Sequence, residues 1–453
     1  MAERKFFGEP IGLAYLAFTE AWERFSFYGM SALVVLYMTE TLLLPGHVEH
    51  VAGFAAFRAA IQGVTGPLST QALASMIYGL YSGLIYFTPI LGGLLADRVL
   101  GARWTVAIGA VLMSAGHLAM AFDASFLIAL LLLIVGCGCL KGNISAQVGA
   151  LYGREDDGGR TRAFAIFSIG INVGAVAGPL ACGLLAQIYG WSVGFGVAGV
   201  LMLAALATYL AGLKHFAEPV RRQKGHEPKV PLTAGDWRTI ALLVGVIAIT
   251  IFQSTSYYQI SDIGLIWIRQ KVDLSTPLGP VPVSWFNSVD SFSSIIFVPP
   301  LFALWRWQAR RGGEPDDLGK LGLGAAICAA SALVAAAGSA LAGSGRMSVL
   351  WPLVSFFGMG VAFLYYWPTL LALVSRRAPA QVNGAMLGVV FLSLFFSNIT
   401  MGWVGGFYEK MSPAAFWTLD AAIGFAGVLA VAALRLPLGG GLGIGAAKPA
   451  SAG

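Results

Sequence analysis

Apolar runs of bilayer length recur along almost the whole 453-residue chain. A helix needs about 20 apolar residues to cross the hydrocarbon core. Only a helix or a closed barrel satisfies its own backbone polar groups there. Read by length, the runs give twelve spans, at about 10–38, 72–97, 104–122, 126–150, 161–187, 191–213, 237–267, 283–307, 318–342, 347–374, 380–407 and 413–436. Charged residues make up 11% of the chain, against about 25% in soluble proteins. The expected class is therefore an all-α membrane protein with twelve transmembrane helices and the bilayer as its surroundings. The net charge of +6 is no sign of nucleic-acid binding, because the basic residues lie in short connections between spans.

Those basic residues set the orientation. With the N-terminus inside, 21 of the 28 Lys and Arg fall on cytoplasmic segments or span ends, five fall outside, and Arg24 and Lys141 lie deep within spans. Such a bias places both termini in the cytoplasm of a cell with the protein in its inner membrane. The arginine and lysine before span one do not make it a signal peptide, since the apolar run is too long and no small-residue cleavage site follows. The longest hydrophilic cytoplasmic segment, 214–236, separates a six-helix bundle at 1–213 from another at 237–436, and the glycine-rich 437–453 reads as a disordered tail. The connection after span one, around Glu40–Arg58, is expected outside, partly as an interfacial amphipathic helix, with His47 and His50 solvated. Cys137, Cys139, Cys182 and Cys328 all sit inside apolar runs without metal or disulfide spacing. Neither metal nor cofactor is expected.

Span one carries the residues hardest to explain as structure. Its middle reads Thr19-Glu-Ala-Trp-Glu-Arg-Phe-Ser-Phe-Tyr-Gly29. Glu20, Glu23 and Arg24 stand at i, i+3 and i+4 and share one face. A charge at that depth costs at least about 2.5–3.5 kcal/mol, so it faces a wet cavity or a partner. The plainer reading is a neutralised triplet that pins a neighbouring helix; the sharper is a proton and substrate site. Span four supplies Lys141 in Gly136-Cys-Gly-Cys-Leu-Lys-Gly-Asn-Ile-Ser145, roughly nine residues from the nearer end. It either snorkels to the surface or faces the span-one charges, with which it sums to zero. His117 in span three reads as a packed, hydrogen-bonded histidine rather than a relay. Mid-span tyrosines, Tyr78 among them, are pocket candidates, whereas aromatics near span ends also form interface belts.

The arrangement of two six-span halves is similar to that of the major facilitator superfamily. Gly92-Gly-Leu-Leu-Ala-Asp-Arg-Val-Leu-Gly-Ala-Arg103 resembles that superfamily's loop motif and makes Asp97 and Arg98 gating or structural candidates. Span one (Glu-x-x-Glu-Arg-Phe), span four (Gly-x-Gly-x-x-Lys-x-Asn-x-Ser) and span five (Phe167-Ser-Ile-Gly-Ile-Asn-Val-Gly174) together resemble the proton-dependent oligopeptide transporter family. The match runs through most of the first half and is weaker in the second. The resemblance implies a proton-driven symporter importing di- and tripeptides by alternating access, and no enzyme. It assigns proton coupling to Glu20, Glu23, Arg24 and Lys141. The candidate substrate contacts are Arg24, Tyr28, Tyr78, Lys141, Asn143, Asn172, Gln259 and Asp290, with Asp262 as a further gate residue. A monomer is the expected state.

Several positions depart from the family pattern. Span one has Phe27-Tyr28 where two tyrosines are usual, span four has Gly142 for proline, and span five has Ser168 for tyrosine. The family's helix 10 glutamate falls near Phe363, leaving no acid there, and its helix 11 tryptophan is Val390. Asp290, in Trp285-Phe-Asn-Ser-Val-Asp-Ser-Phe292 of span eight, takes the place of a usual asparagine and is the expected substitute acid, unless it only ties two helices. The same fold with another substrate (an amino acid, a modified peptide or an organic anion) is the first alternative. A membrane-embedded sensor or enzyme is the second, and no nucleophile–base pair or sensor domain supports it.

Overall fold

The computed structural model describes residues 5–6, 8–153, 156–216, 231–277 and 279–442. Almost every described element is a helix, as the apolar runs require. The first half contains α1 (Ile11–Tyr37), a surface helix α2 (Phe54–Thr65), α3 (Thr70–Leu95), α4 (Ala102–Ala119), α5 (Phe126–Ala150), α6 (Asp157–Tyr189) and α7 (Trp191–Gly212). The second contains α8 (Ala234–Tyr258), α9 (Ile263–Lys271), α10 (Asn287–Arg310), α11 (Asp317–Ala342), α12 (Leu350–Arg377), α13 (Asn383–Gly405) and α14 (Pro413–Leu442). Ten of the helical segments are long and apolar enough to cross a membrane. With the charge-bearing α1 and the 18-residue α4 they make six spans in each half. We call the ends nearest the chain termini the terminal face and the opposite ends the far face. Among the described residues the one sheet is a two-residue antiparallel pair, β1 (Lys5–Phe6) with β2 (Glu9–Pro10), ahead of α1.

Polar residues start the helices that begin at the water boundary. Ser69, Asp156, Thr233 and Asp316 each accept a backbone N–H three residues on, at the starts of α3, α6, α8 and α11. Thr233 and Asp236 do so reciprocally. Each half then packs its own core. That of the first half runs from Leu13 through Met30, Met113 and Leu140 to Met202, and that of the second gathers around Trp267, Phe356 and Trp417 with a second cluster around Leu243 and Leu370.

The structure departs from expectation at several boundaries. Span seven is not one helix: α8 passes through a short 3-10 turn, and the chain breaks at Asp262 (φ −112°, ψ −96°) before α9. α14 continues to Leu442, where a disordered tail was expected from 437. The rest of that tail and most of the 214–236 linker lie outside the described residues. The helix expected after span one forms as α2, which begins within the Glu40–Arg58 stretch and runs past it to Thr65, with Phe54 and Ile61 buried. His47 is half-exposed but not simply solvated, since its Nδ1 lies 2.9 Å from Asp123 Oδ2.

Candidate functional site

The site begins with the seam between α1 and α6. α6 presents Gly170, Gly174 and Gly178 at intervals of four, and a Cβ on any of them would strike the α1 backbone. At Gly174 it would lie 2.6 Å from the Ala21 carbonyl oxygen and 2.7 Å from Arg24 Cβ. Small residues spaced this way let two membrane helices touch backbone to backbone. The long polar side chains of α1 are thereby placed off the seam. Glu20, Glu23 and Arg24 are all buried. Arg24 Nε contacts Glu20 Oε1 at 3.1 Å and also engages Glu23 Oε2. Glu20 Oε2, Glu23 Oε1 and Arg24 Nη2 are buried without a partner. The triplet is held together yet keeps unfilled hydrogen-bonding capacity.

Lys141 on α5 joins this group through aromatic rings and does not snorkel to the surface. Its Nζ lies 5.0 Å from the Phe27 centroid and 4.7 Å from that of Tyr86, while Arg24 Cζ is 5.2 Å from Phe27. Phe27 therefore sits between two cations, and each gains from the ring quadrupole. Among the described residues no carboxylate comes within ion-pair distance of the Lys141 ammonium. From Tyr86 the constellation crosses to the second half. Tyr258 OH donates to Tyr86 OH at 3.1 Å, the Tyr257 and Tyr258 rings meet edge-on at 5.2 Å, and Tyr257 OH donates to Asp290 Oδ2 at 2.6 Å. Phe363 stacks on Tyr257 at 5.5 Å and on Trp367 at 6.4 Å. The first half thus contributes Arg24 and Lys141 together with Glu20 and Glu23, the second half contributes Asp290, and aromatic side chains lie between.

The other sequence candidates divide. Tyr28 packs edge-on against Phe27, and Asn172 on α6 donates only to its own Ser168 carbonyl, leaving its amide oxygen available. Asn143 points elsewhere: it is buried and donates to Gly92 O at 3.3 Å and Cys139 O at 2.8 Å, tying α5 to α3. Gln259 is likewise turned to α13, donating to Met401 O at 3.1 Å. Tyr78 is buried beside Ser82 and Ser261. Asp262 lies between the halves near the far face and accepts from Ser75 Oγ at 2.9 Å. Asp97 and Arg98 are exposed on a π-helical turn after α3, and neither is in an ion pair among the described residues. His117 is fully buried, but neither ring nitrogen has a hydrogen-bond partner, contrary to the expected bonded histidine. All four cysteines are buried and free.

Sequence reasoning missed Phe27 as the ring between the cations, although its place three residues after Arg24 put it on the same face. It also passed over Asp420 in α14, fully buried and accepting from Ser256 Oγ at 2.8 Å. As the one acid within the last apolar run, Asp420 was visible. At the terminal face Glu9 binds Arg162 Nε at 2.6 Å and Tyr152 OH at 3.0 Å. The Arg162 hydrogen bond holds the Glu9 carboxyl below the usual range.

Bonds between the halves gather from mid-membrane to the far face. Besides Ser75–Asp262 they include Gln71 to the Gly405 carbonyl at 3.1 Å, Ser288 to Val176 O at 2.8 Å, Trp285 to Leu180 O at 2.9 Å, and Arg269 Nε to Glu40 at 2.9 Å. Gly79 on α3 meets the backbone of α13 so closely that a Cβ would lie 2.6 Å from Asn398 O. This is an arrangement drawn together on the far side.

Known proteins resemble the chain in sequence and in fold. A di-/tripeptide transporter of Lactococcus lactis subsp. cremoris is 29% identical over 494 residues, taking in 93% of this chain and 94% of its own. The peptide transporter YePEPT of Yersinia enterocolitica is 27% identical over 511 residues, with 96% and 94% covered. A crystal structure of a peptide transporter in complex with sulfate superposes with a TM-score of 0.84 at 25% identity, covering 97% of each chain. The same transporter type bearing a substitution and holding alafosfalin gives 0.83 at 26%, covering 98% of each. The model of the POT family matches residues 103–231 and 232–418, most of the chain, and this multi-pass membrane protein belongs to that family of transporters.

Proposed function

We propose that the chain is a proton-coupled symporter that imports di- and tripeptides by alternating access, with the terminal face in the cytoplasm. The observation that carries this reading is the Lys141 ammonium, held between Phe27 and Tyr86 with no carboxylate of its own, on the half opposite Asp290. A zwitterionic peptide fits that polarity. Its carboxylate goes to Lys141 and Arg24, its amine to Asp290, and Tyr28 and Asn172 supply polar contacts around it. The names borne by the relatives support peptides as the class. Proton coupling falls to Glu20, Glu23, Arg24 and Lys141. Protonating either glutamate removes one of the two anions that hold Arg24 and frees the guanidinium for substrate. Asp97 and Arg98 are the cytoplasmic gate candidates, and Asp262 with Ser75 the outer one. The bias of basic residues supports an inner-membrane protein with both termini inside, and a monomer is the proposed working state.

One observation favours a second substrate class. Phe363 stands where family members carry an acid, and it is packed between Tyr257 and Trp367. That wall accepts an apolar or modified group more readily than a peptide amine, so a modified peptide, amino acid or organic anion is the alternative.

The test is uptake into proteoliposomes under an imposed proton gradient, competed by dialanine, for wild type, Lys141→Gln and Asp290→Asn. Gradient-driven, dialanine-sensitive uptake that is lost in Lys141→Gln is the expected result. Asp290→Asn is expected to raise the dialanine concentration needed for competition at least tenfold. Proton movement without any response to small peptides would reject peptides as substrates. Unchanged affinity and pH dependence in Asp290→Asn would remove the amine site.

A further inference from the structure

On the terminal face, away from the central constellation, α10 leaves a groove of about 430 Å³ along its last turns. Pro299, Phe302, Trp305, Arg306, Ala309 and Glu314 line it. We propose that this groove binds an anionic phospholipid, with the headgroup phosphate at Arg306 and the start of an acyl chain along Pro299, Phe302 and Ala309.

Three features of the groove support that occupant. The first is charge. Arg306 is exposed and has no ion-pair or hydrogen-bond partner among the described residues, whereas the acids nearby are already engaged. Glu314 binds Lys320 Nζ at 2.6 Å, Asp316 binds Arg435 at 2.9 Å and Asp317 binds Arg376 at 2.7 Å. Arg310, the last residue of α10, and Arg311 just after it add positive charge at the same helix end. A basic groove at this depth suits an anionic headgroup.

The second is the Trp305 ring, which lines the groove while its indole N–H is covered by the protein. The ring therefore offers an acyl chain an apolar surface. The Trp305 ring is fixed for this role: Lys320 Nζ lies 4.1 Å over it, Phe302 packs at 5.7 Å and Tyr365 meets it edge-on at 5.6 Å.

The third is continuity with the bilayer. Phe302 and Trp307 are each about half exposed on the same turns, and Arg311 lies 4.3 Å over the Trp307 ring. An aromatic belt with basic residues marks the depth at which headgroups lie. The apolar floor of the groove therefore opens onto acyl chains, and its charged rim onto phosphates. A free anion would use the rim and leave the floor bare.

The experiment uses the full chain reconstituted in neutral phosphatidylcholine vesicles. A minor fraction of either phosphatidylglycerol or phosphatidylcholine carries brominated acyl chains, which quench tryptophan on contact. The chain has 12 tryptophans, so the Trp305 share is taken as the difference between wild type and Trp305→Phe. The expected result is several-fold stronger quenching of that share by the brominated phosphatidylglycerol, with the preference abolished in Arg306→Gln. Ala309→Leu, which fills the floor without altering charge, should reduce the preference in the otherwise native chain and stands in if Trp305→Phe does not fold. Equal quenching by the two lipids, or a preference that survives Arg306→Gln, would overturn the proposal. So would loss of the preference on adding millimolar inorganic phosphate, which would mark a site for free anions.

Discussion

Gly174→Ala is the most direct test of how α1 is positioned. The new Cβ would lie 2.6 Å from Ala21 O, 2.7 Å from Arg24 Cβ and 2.7 Å from Phe25 N. All three are backbone or Cβ atoms, so no side-chain rotation relieves the contact. Bringing 2.6 Å out to an ordinary 3.4 Å separates α1 from α6 by about 0.8 Å. Overpacking of this kind costs about 1–3 kcal/mol. Alanine's better fit to a helix returns about 0.5–1 kcal/mol, leaving a net loss of about 0–2.5 kcal/mol. The larger effect falls on function. Arg24 sits on the displaced stretch, and a misplacement of about 1 Å can lower a rate about 100-fold. Gly196 in α7 is the control: nothing lies within 4 Å of its Cβ position, so Gly196→Ala should stabilise by about 0.5–1 kcal/mol. The assay is thermal melting in detergent, read for direction only because such unfolding is commonly irreversible, together with proteoliposome uptake. Gly174→Ala melting at or above wild type with undiminished uptake would refute the reasoning, and a Gly196→Ala variant as damaged as Gly174→Ala would show that glycine loss as such was being measured.

Three further outcomes follow from the placements. Asn143→Ala should lower the melting temperature, through loss of about 1 kcal/mol, while leaving the KM for substrate unchanged, because the side chain binds Gly92 and Cys139 carbonyls; a tenfold rise in KM at wild-type stability would make it a ligand instead. Ser75→Ala removes the hydrogen bond that ties Asp262 across the halves, so spin labels at the exposed Val64 and Leu350 should gain a longer-distance population, and an unchanged distribution would discount the bond. Glu9, whose carboxyl is held below its ordinary value of 4.5 chiefly by the Arg162 hydrogen bond, contributes docking that is present above that value and is lost only as pH falls through the lower native one; protease protection of the 5–10 segment should therefore persist below pH 4.5, and release at or above it would contradict the sign.

The sequence made the fold readable because apolar length and the sidedness of charge are strong, local signals. Bilayer-length elements in an all-helical architecture followed from them. It also made Glu20, Glu23, Arg24 and Lys141 stand out, since charge at depth needs a reason. What it did not make readable was direction. α5 carries small or polar residues on more than one face, so Lys141 and Asn143, two positions apart, looked like neighbours in one cavity. In the structure Lys141 meets Phe27 and Tyr86, and Asn143 faces α3. The direction of the Gln259 amide was hidden for the same reason. Its run, Tyr257-Tyr-Gln-Ile-Ser-Asp262, was taken as continuous helix, and the break at Asp262 shifts which side chains share a face. The bridge from Tyr86 to Tyr258 joins residues 172 positions apart, a pairing that no periodicity within either span encodes.

The bonds between the halves have a size that suits a transporter. Ser75–Asp262, Gln71–Gly405, Trp285–Leu180, Ser288–Val176 and Tyr258–Tyr86 are hydrogen bonds within the membrane. Such bonds between spans average about 0.6 kcal/mol each. Arg269–Glu40, at the exposed rim, adds about 0–1 kcal/mol. Together they amount to a few kcal/mol. Taking a two-state population from 1:99 to 99:1 requires about 5.5 kcal/mol of differential binding. A ligand that reaches both Lys141 and Asp290 makes charge-assisted contacts on each half, each worth about 1.5–3 kcal/mol, and so works on the same scale as the seam it must close or release. A far-face seam of buried ion pairs would be much costlier to break one-sidedly. On the proposed reading, charged groups on facing halves and mostly neutral bonds along the seam would let a bound zwitterion decide which side is open.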